Sequence, residues 1–136
     1  MILVDTSVWA DFLNSSRGPA GDELERLIAT NAPLVLTGVV VAEVLQGLRR
    51  DVAAVTKLLA NWPLIEPAGF ATYAEAATIF RQARGRGATL STIDALLAAL
   101  AIEYHAAFFT LDQDFARLAF TGLRLHWGNQ RPVPHV

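Results

Sequence analysis

At 136 residues and 14.7 kDa the chain is about one domain's worth of polypeptide. Apolar residues make up 53% and the mean hydropathy is +0.35, a composition that builds a core and excludes intrinsic disorder. Eleven basic residues against thirteen acidic ones give a net charge of -2, and on that sum alone a nucleic-acid partner is disfavoured. The absence of cysteine excludes disulfide frameworks, thiolate zinc sites and cysteine nucleophiles together, and it suits a reducing compartment. The first residues lack a basic flank and meet Asp5 at once, unlike a signal peptide. The apolar stretches 34–45 and 95–102 are interrupted or fenced by charge and too short to span a bilayer. A cytoplasmic setting is expected.

Short apolar runs alternate with longer stretches of helical period. Residues 2–4 form a brief run ending at Asp5, and 8–14 reads as a short helix. Residues 20–30 set Leu24, Leu27 and Ile28 on one face with charges between them, a helical spacing. A strand is expected at 33–36, then helices over 39–50 and 52–61. Leu64 and Ile65 suggest a short strand between Pro63 and Pro67, and 70–84 is helical again. Gly85-Arg86-Gly87 breaks the pattern. A nearly all-apolar helix follows over 93–104, then a strand at 107–110, a short helix at 115–119 and a last strand at 123–126. Such alternation predicts parallel pairing in a three-layer α/β/α sandwich, and uninterrupted apolar strands suit a sheet covered on both faces. No repeat or linker precedes the proline-rich tail 131–136, so a single domain over 1–136 is expected.

Open parallel sheets bind ligands beyond the carboxyl ends of their strands, and acids gather there in this sequence. Asp5-Thr6-Ser7 follows the first strand, and the helix after the second carries Glu43. Ser91-Thr92-Ile93-Asp94 opens the long apolar helix, and Thr110-Leu111-Asp112-Gln113-Asp114 follows the strand at 107–110. Singly, each has a plain structural explanation. Asp5 and Asp112 would cap helices, Ser91 and Asp94 would form a capping box, and Glu43 beside Gln46, Gly47 and Arg50 would lie on a solvated face. Together, carboxylates from four segments would meet at one sheet edge, where like charges raise one another's pKa unless a cation neutralises them. A hard divalent ion such as Mg²⁺ or Mn²⁺ takes one or two carboxylates directly and leaves room for water and phosphate oxygens.

Val4-Asp5-Thr6-Ser7-Val8, Glu43 followed by Gly47, Asp94 leading into Ala95-Leu96-Leu97-Ala98-Ala99, and Thr110-Leu111-Asp112-Gln113-Asp114-Phe115 occur in that order. In these motifs the sequence resembles the PIN domain family, and within it the VapC toxins of bacterial toxin–antitoxin pairs. The resemblance covers most of the chain, from Ile2 to about Phe115. It implies a PIN-like α/β/α sandwich with a central parallel sheet of about five strands. It also implies a Mg²⁺- or Mn²⁺-dependent endoribonuclease that inhibits translation. Its catalytic acids carry over to Asp5, Glu43, Asp94 and Asp112. Asp5, Asp94 and Asp112 are expected to hold the metal with Asp114 as a fifth acid, Glu43 orienting water. Thr6 matches the hydroxyl that supports the first aspartate and, with Thr110, is expected behind the ligands. A homodimer and a small VapB-like antitoxin that blocks the acidic cleft are implied as well.

Other chemistries fit less well. His105, His126 and His135 have no metal-ligand spacing, and no Gly-x-Ser-x-Gly elbow, P-loop or Gly-x-Gly-x-x-Gly is present. A receiver-like or phosphatase-like domain would need a catalytic lysine, and the one lysine, Lys57, lies inside a helical stretch. A catalytically silent RNA-binding or interaction module of the same fold is the alternative, and loss of one of the acids would mark it. A DNA-directed nuclease stays open, because that choice rests on contacts to the 2′-hydroxyl. Ten of the eleven basic residues are arginine, whose guanidinium fork matches phosphate. Arg84 and Arg86, upstream of Asp94, and Arg50, beyond Glu43, are expected to steer the RNA backbone. Trp9, Phe12, Trp62, Phe70 and Tyr73 sit at helical spacings and are expected in the core or an interface. If the five acids line one site, eight acids face eleven bases elsewhere. The net charge then no longer argues against nucleic acid.

Overall fold

The computed structural model describes residues 1–127. Its sheet is made of three apolar runs, β1 (Ile2–Val4), β2 (Leu34–Val35) and β3 (Ala107–Phe109), in the order β2-β1-β3 and all parallel. Ile2 pairs with Leu34 and Ala107, Leu3 with Val35 and Phe108, and Val4 with Phe109. The first strand of the sequence is therefore the middle one of the sheet. Leu3, Val4, Leu34, Val35, Phe108 and Phe109 are buried, and each such side chain contributes about 1.5–3 kcal/mol on leaving water. Parallel neighbours need long crossovers, which here are helical.

The fold class is the one expected, a parallel sheet flanked by helices, but the strand count is three rather than about five. The fourth and fifth strands shrink to single parallel bridges, Leu36 with Leu64 and Phe108 with Leu125. Pro63 and Pro67 flank the first of these, and proline removes a ladder donor. The chain leaves the second at Trp127, whose φ of 70° breaks an extended path.

The helices are α1 (Thr6–Leu13), α2 (Pro19–Ala29), α3 (Gly38–Gln46), α4 (Val52–Leu59), α5 (Phe70–Gly85) and α6 (Thr92–Glu103). The helix expected over 39–50 stops at Gln46, where Gly47 closes it. The short helix expected at 115–119 is a 3-10 helix over Gln113–Thr121. Asp11 of α1 accepts from the backbone N–H of Gly18 at 3.0 Å and of Gly21 at 2.7 Å, fastening α2 to α1. A Cβ at Gly21 would fall 2.4 Å from Arg17 Cγ and 3.0 Å from the Asp11 backbone, so only glycine permits this approach. In α6, Ala95 and Leu97 through Ala101 are all buried, as its unbroken apolar run requires. Trp9 is fully buried against Phe12 and Trp62, whereas Phe70 and Tyr73 are exposed. No described helix is long and apolar enough to cross a membrane. The tail 131–136, with His135, lies outside the described residues.

Glu23 ties α2 to the last described segment. Its side chain, 12% exposed, accepts from Arg26 at 2.7 and 2.8 Å and meets His126 Nε2 at 2.8 Å. The His126 ring in turn packs edge-on against Phe109. The Arg26 guanidinium, helped by His126, holds the Glu23 carboxyl below the usual carboxylate range. An acid strengthened by folding adds stability above its unfolded pKa and loses it as pH falls through the folded value. Glu23→Gln is therefore expected to lower Tm by about 1–4 °C near neutral pH and to leave it unchanged near pH 2–3, as read by thermal scans across pH.

Candidate active site

Asp5 stands just past β1, where Asp5 N–H donates to the carbonyl of Phe109 at 2.9 Å and so holds the residue beside β3. It occupies the N-cap position of α1, yet its side chain makes no capping bond. Both of its hydroxyl partners come to one oxygen: Ser7 Oγ at 2.9 Å and Thr110 Oγ1 at 2.8 Å donate to Oδ2. Burial pushes the Asp5 carboxyl up, the bonds from Thr110, Ser7 and the Thr6 backbone N–H oppose this, and the charge of Asp94 adds to the rise.

Glu43 and Asp112 are reached through this residue's neighbours, whereas Asp94 acts on it through charge alone. Thr6 Oγ1 donates to Glu43 Oε1 at 2.7 Å, joining the start of α1 to α3. The Thr6 hydroxyl thus supports Glu43 while its backbone N–H bonds the Asp5 carboxylate, and the hydroxyls of Ser7 and Thr110 stand beside Asp5. Nor does Glu43 lie on a freely solvated face. Thr110 Oγ1 accepts from Asp112 N–H at 3.0 Å, so one hydroxyl links Asp5 to the turn that carries Asp112. Ser7 Oγ likewise accepts from Leu111 N–H at 3.1 Å.

Asp112 caps the 3-10 helix, its Oδ1 accepting from Asp114 N–H at 2.9 Å. Asp94 completes a capping box, with Oδ2 accepting from Ser91 N–H and Ser91 Oγ accepting from Asp94 N–H, both at 3.0 Å. The capping explanations of these two acids are therefore correct, and they do not exhaust the side chains. Glu43 Oε2, Asp94 Oδ1 and Asp112 Oδ2 have no hydrogen-bond partner among the described residues, whereas the Asp5 carboxylate also accepts from the Thr6 backbone N–H. Glu43, Asp94 and Asp112 each spend one oxygen on the fold and keep one. Among the described residues no group of three or more acids or histidines stands close enough together to hold a metal ion without rearrangement. The donor set nevertheless suits a hard divalent cation: all oxygen, all anionic, with one member already raised by burial and a neighbouring charge.

A groove of about 300 Å³ opens between α1 and α3, lined by Thr6, Ala10, Leu13, Glu43, Val44 and Leu48. Arg50 is exposed in the bend after α3. Arg84 lies with its guanidinium 5.5 Å from the Phe80 ring, and Arg86 lies 3.8 Å above the ring of Phe120. Sequence reasoning quoted Ser7 without giving it a task. A hydroxyl two residues after a strand-end acid was the available signal.

A model of the PIN domain matches residues 2–121. The chain belongs to the PIN domain family. Ribonuclease VapC11 of Mycobacterium tuberculosis is 32% identical over 123 residues, covering 88% of this chain and 92% of that protein. Among solved structures, VapBC2 from Rickettsia felis, bound to a DNA fragment from its promoter, is similar with a TM-score of 0.72 at 20% identity, covering 93% of this chain and 98% of that one. Mycobacterium tuberculosis VapC20, a Sarcin-Ricin loop cleaving toxin, is similar with a TM-score of 0.66 at 24% identity, covering 91% and 99%.

A buried acid with a raised pKa stabilises the fold fully only below its unfolded pKa and loses that contribution as pH rises through the folded value. Asp5→Asn removes this loss. In metal-free protein the variant is expected to melt no lower than wild type near pH 7, and the two curves should converge near pH 3. A clearly lower Tm for the variant at neutral pH would show that the bonds from Ser7 and Thr110 outweigh the cost of burial.

Proposed function

We propose that the chain is a single-domain, divalent-metal-dependent endoribonuclease, the toxin of a toxin–antitoxin pair that cuts cytoplasmic RNA and so inhibits translation. The observation that carries this reading is the set of four carboxylates from four elements, Glu43, Asp94 and Asp112 each braced through one oxygen with the other free and Asp5 held by Ser7, Thr110 and the Thr6 N–H. Membership of the PIN family and the naming of a relative as ribonuclease VapC11 support it. The RNA target of VapC20 supports RNA over DNA.

Asp5, Asp94, Asp112 and Asp114 would hold the ion. A divalent ion so held lowers the pKa of a bound water and withdraws charge from a phosphoryl oxygen. Asp5 is kept in place by Ser7, Thr110 and the Thr6 N–H, so its carboxylate has a fixed orientation. Glu43, braced by Thr6, faces the groove between α1 and α3 and orients the attacking water or accepts its proton. Burial of Asp5 strengthens its interaction with any cation that replaces its lost hydration.

The partner is a VapB-like antitoxin. The VapBC2 neighbour supports a toxin–antitoxin assembly, and the groove beside Glu43 is large enough to admit a basic side chain. A second copy of the chain is the other partner. Tyr73, 55% exposed, lines an apolar groove of about 410 Å³ with Ala77, Phe80 and Leu96, and Phe70, 88% exposed, stands three residues earlier on α5, an unusual exposure for large apolar groups.

Sequencing of RNA 5′ ends after induced expression tests the reading directly. Wild type is expected to create discrete new ends, and Asp5→Asn none; identical ends from both would overturn the assignment. Metal binding is tested separately by mass action. Mg²⁺ or Mn²⁺ at about a hundred times its Kd should stabilise wild type by roughly 2.7 kcal/mol. A variant with Asp5→Asn, Glu43→Gln, Asp94→Asn and Asp112→Asn should gain nothing, and an equal gain would place the ion elsewhere.

A further inference from the structure

The 3-10 helix that follows Asp112 runs for nine residues, longer than such helices commonly run. With three residues per turn, side chains at i and i+3 eclipse one another, and burial along the segment follows that period. Phe115, Leu118 and Thr121 form the inward row, whereas Gln113, Ala116 and Ala119 are exposed. The third row is Asp114, Arg117 and Phe120. At about 2 Å per residue it extends roughly 12 Å from the acid cluster.

This row is joined to the turn after α5. Arg117 Nη1 donates to the carbonyl of Gly87 at 2.9 Å, and a Cβ at Gly87 would meet that same Nη1 at 3.3 Å. Gly87 has φ +81°, a left-handed conformation that glycine adopts without strain. One residue earlier, the Arg86 guanidinium lies 3.8 Å over the Phe120 ring. Arg86 and Arg117 are both exposed, and neither is in an ion pair among the described residues. Two unneutralised guanidinium groups are thus fixed, one by a carbonyl and one by an aromatic face, at the far end of a row that starts at Asp114.

We propose that the row Asp114–Arg117–Phe120, with Arg86 stacked on it, is the track for the single-stranded RNA segment flanking the scissile phosphate. This rests on the nuclease reading. Arg117 keeps donors free after its bond to Gly87 and takes a backbone phosphate. Arg86, with one face on Phe120, presents the other to a base, since guanidinium planes stack on bases without regard to sequence. Phe120 is a positioning residue that acts through Arg86. The geometry favours a single strand because a base paired in a duplex offers no free face to Arg86. It also assigns a substrate contact to Arg117 and gives Arg86 a definite partner in Phe120.

The test measures binding of a short, unstructured, fluorescently labelled RNA to the full chain carrying Asp5→Asn, with Mg²⁺ present, from about 50 to 200 mM salt. Arg86→Gln and Arg117→Gln are each expected to weaken binding about tenfold, and Arg117→Gln should flatten the slope of log Kd against log salt by about 0.7. Phe120→Leu should weaken binding with the slope unchanged, and Phe120→Trp should restore it. Arg117→Lys, which can still reach the Gly87 carbonyl, guards against a folding loss: it should keep the wild-type slope. Unchanged affinity in the glutamine and leucine variants, with RNA still bound by the parent, overturns this track and leaves the nuclease reading standing. No RNA bound by the parent, together with no cleavage by wild type, overturns both.

Discussion

One half-buried carboxylate organises the site. Asp5 ends the middle strand of the sheet, so it is within reach of elements that follow β1 in sequence and of elements that flank it in space. Its desolvation is unfavourable and is only partly offset by two hydroxyl donors and the Thr6 backbone N–H, and Asp94 adds a like charge nearby. That imbalance has structural consequences. Ser7 and Thr110 must be placed to donate, and each then accepts a backbone N–H from the turn after β3. The position of Asp112 therefore follows from the solvation of Asp5. Thr6, turned the other way, fixes Glu43.

The helix caps of Asp94 and Asp112 do not compete with a role in chemistry. A carboxylate accepts through two oxygens, and a cap uses one. The cap locks the side-chain torsion, so the remaining oxygen acquires a direction at no further conformational cost. Helix N-termini also favour negative charge, which lets acids be concentrated at a sheet edge that would otherwise repel them.

Much of this was legible in the sequence, for identifiable reasons. Strands buried on both faces must be unbroken apolar runs, and Ile2–Val4 and Ala107–Phe109 are so. The capping box at Ser91 and Asp94 is local, and local chemistry survives folding. Leu64 and Leu125 read as strands by composition, but a strand needs neighbours along its length, and each finds only one. The bond from Thr6 to Glu43 spans 37 positions, and no spacing rule predicts which of three consecutive hydroxyl or acid residues turns toward which helix. The 3-10 helix was legible as helical but not in its period, because five residues of amphipathic pattern do not separate 3.0 from 3.6. That distinction decides whether Arg117 and Phe120 share a row with Asp114.

Charge segregation is the last consequence. The chain sums to -2, yet five of its thirteen acids are those at the strand ends, leaving a basic excess over the rest. Arg86 and Arg117 are part of that excess and are held away from the acids by the length of the 3-10 helix. A polyanion approaching such a surface is attracted where guanidinium groups are unpaired and repelled where carboxylates are uncovered. A divalent ion among the acids removes the repulsion without touching the attraction. Metal occupancy and RNA binding would then be coupled through the field of the site, each raising the affinity for the other by the same factor.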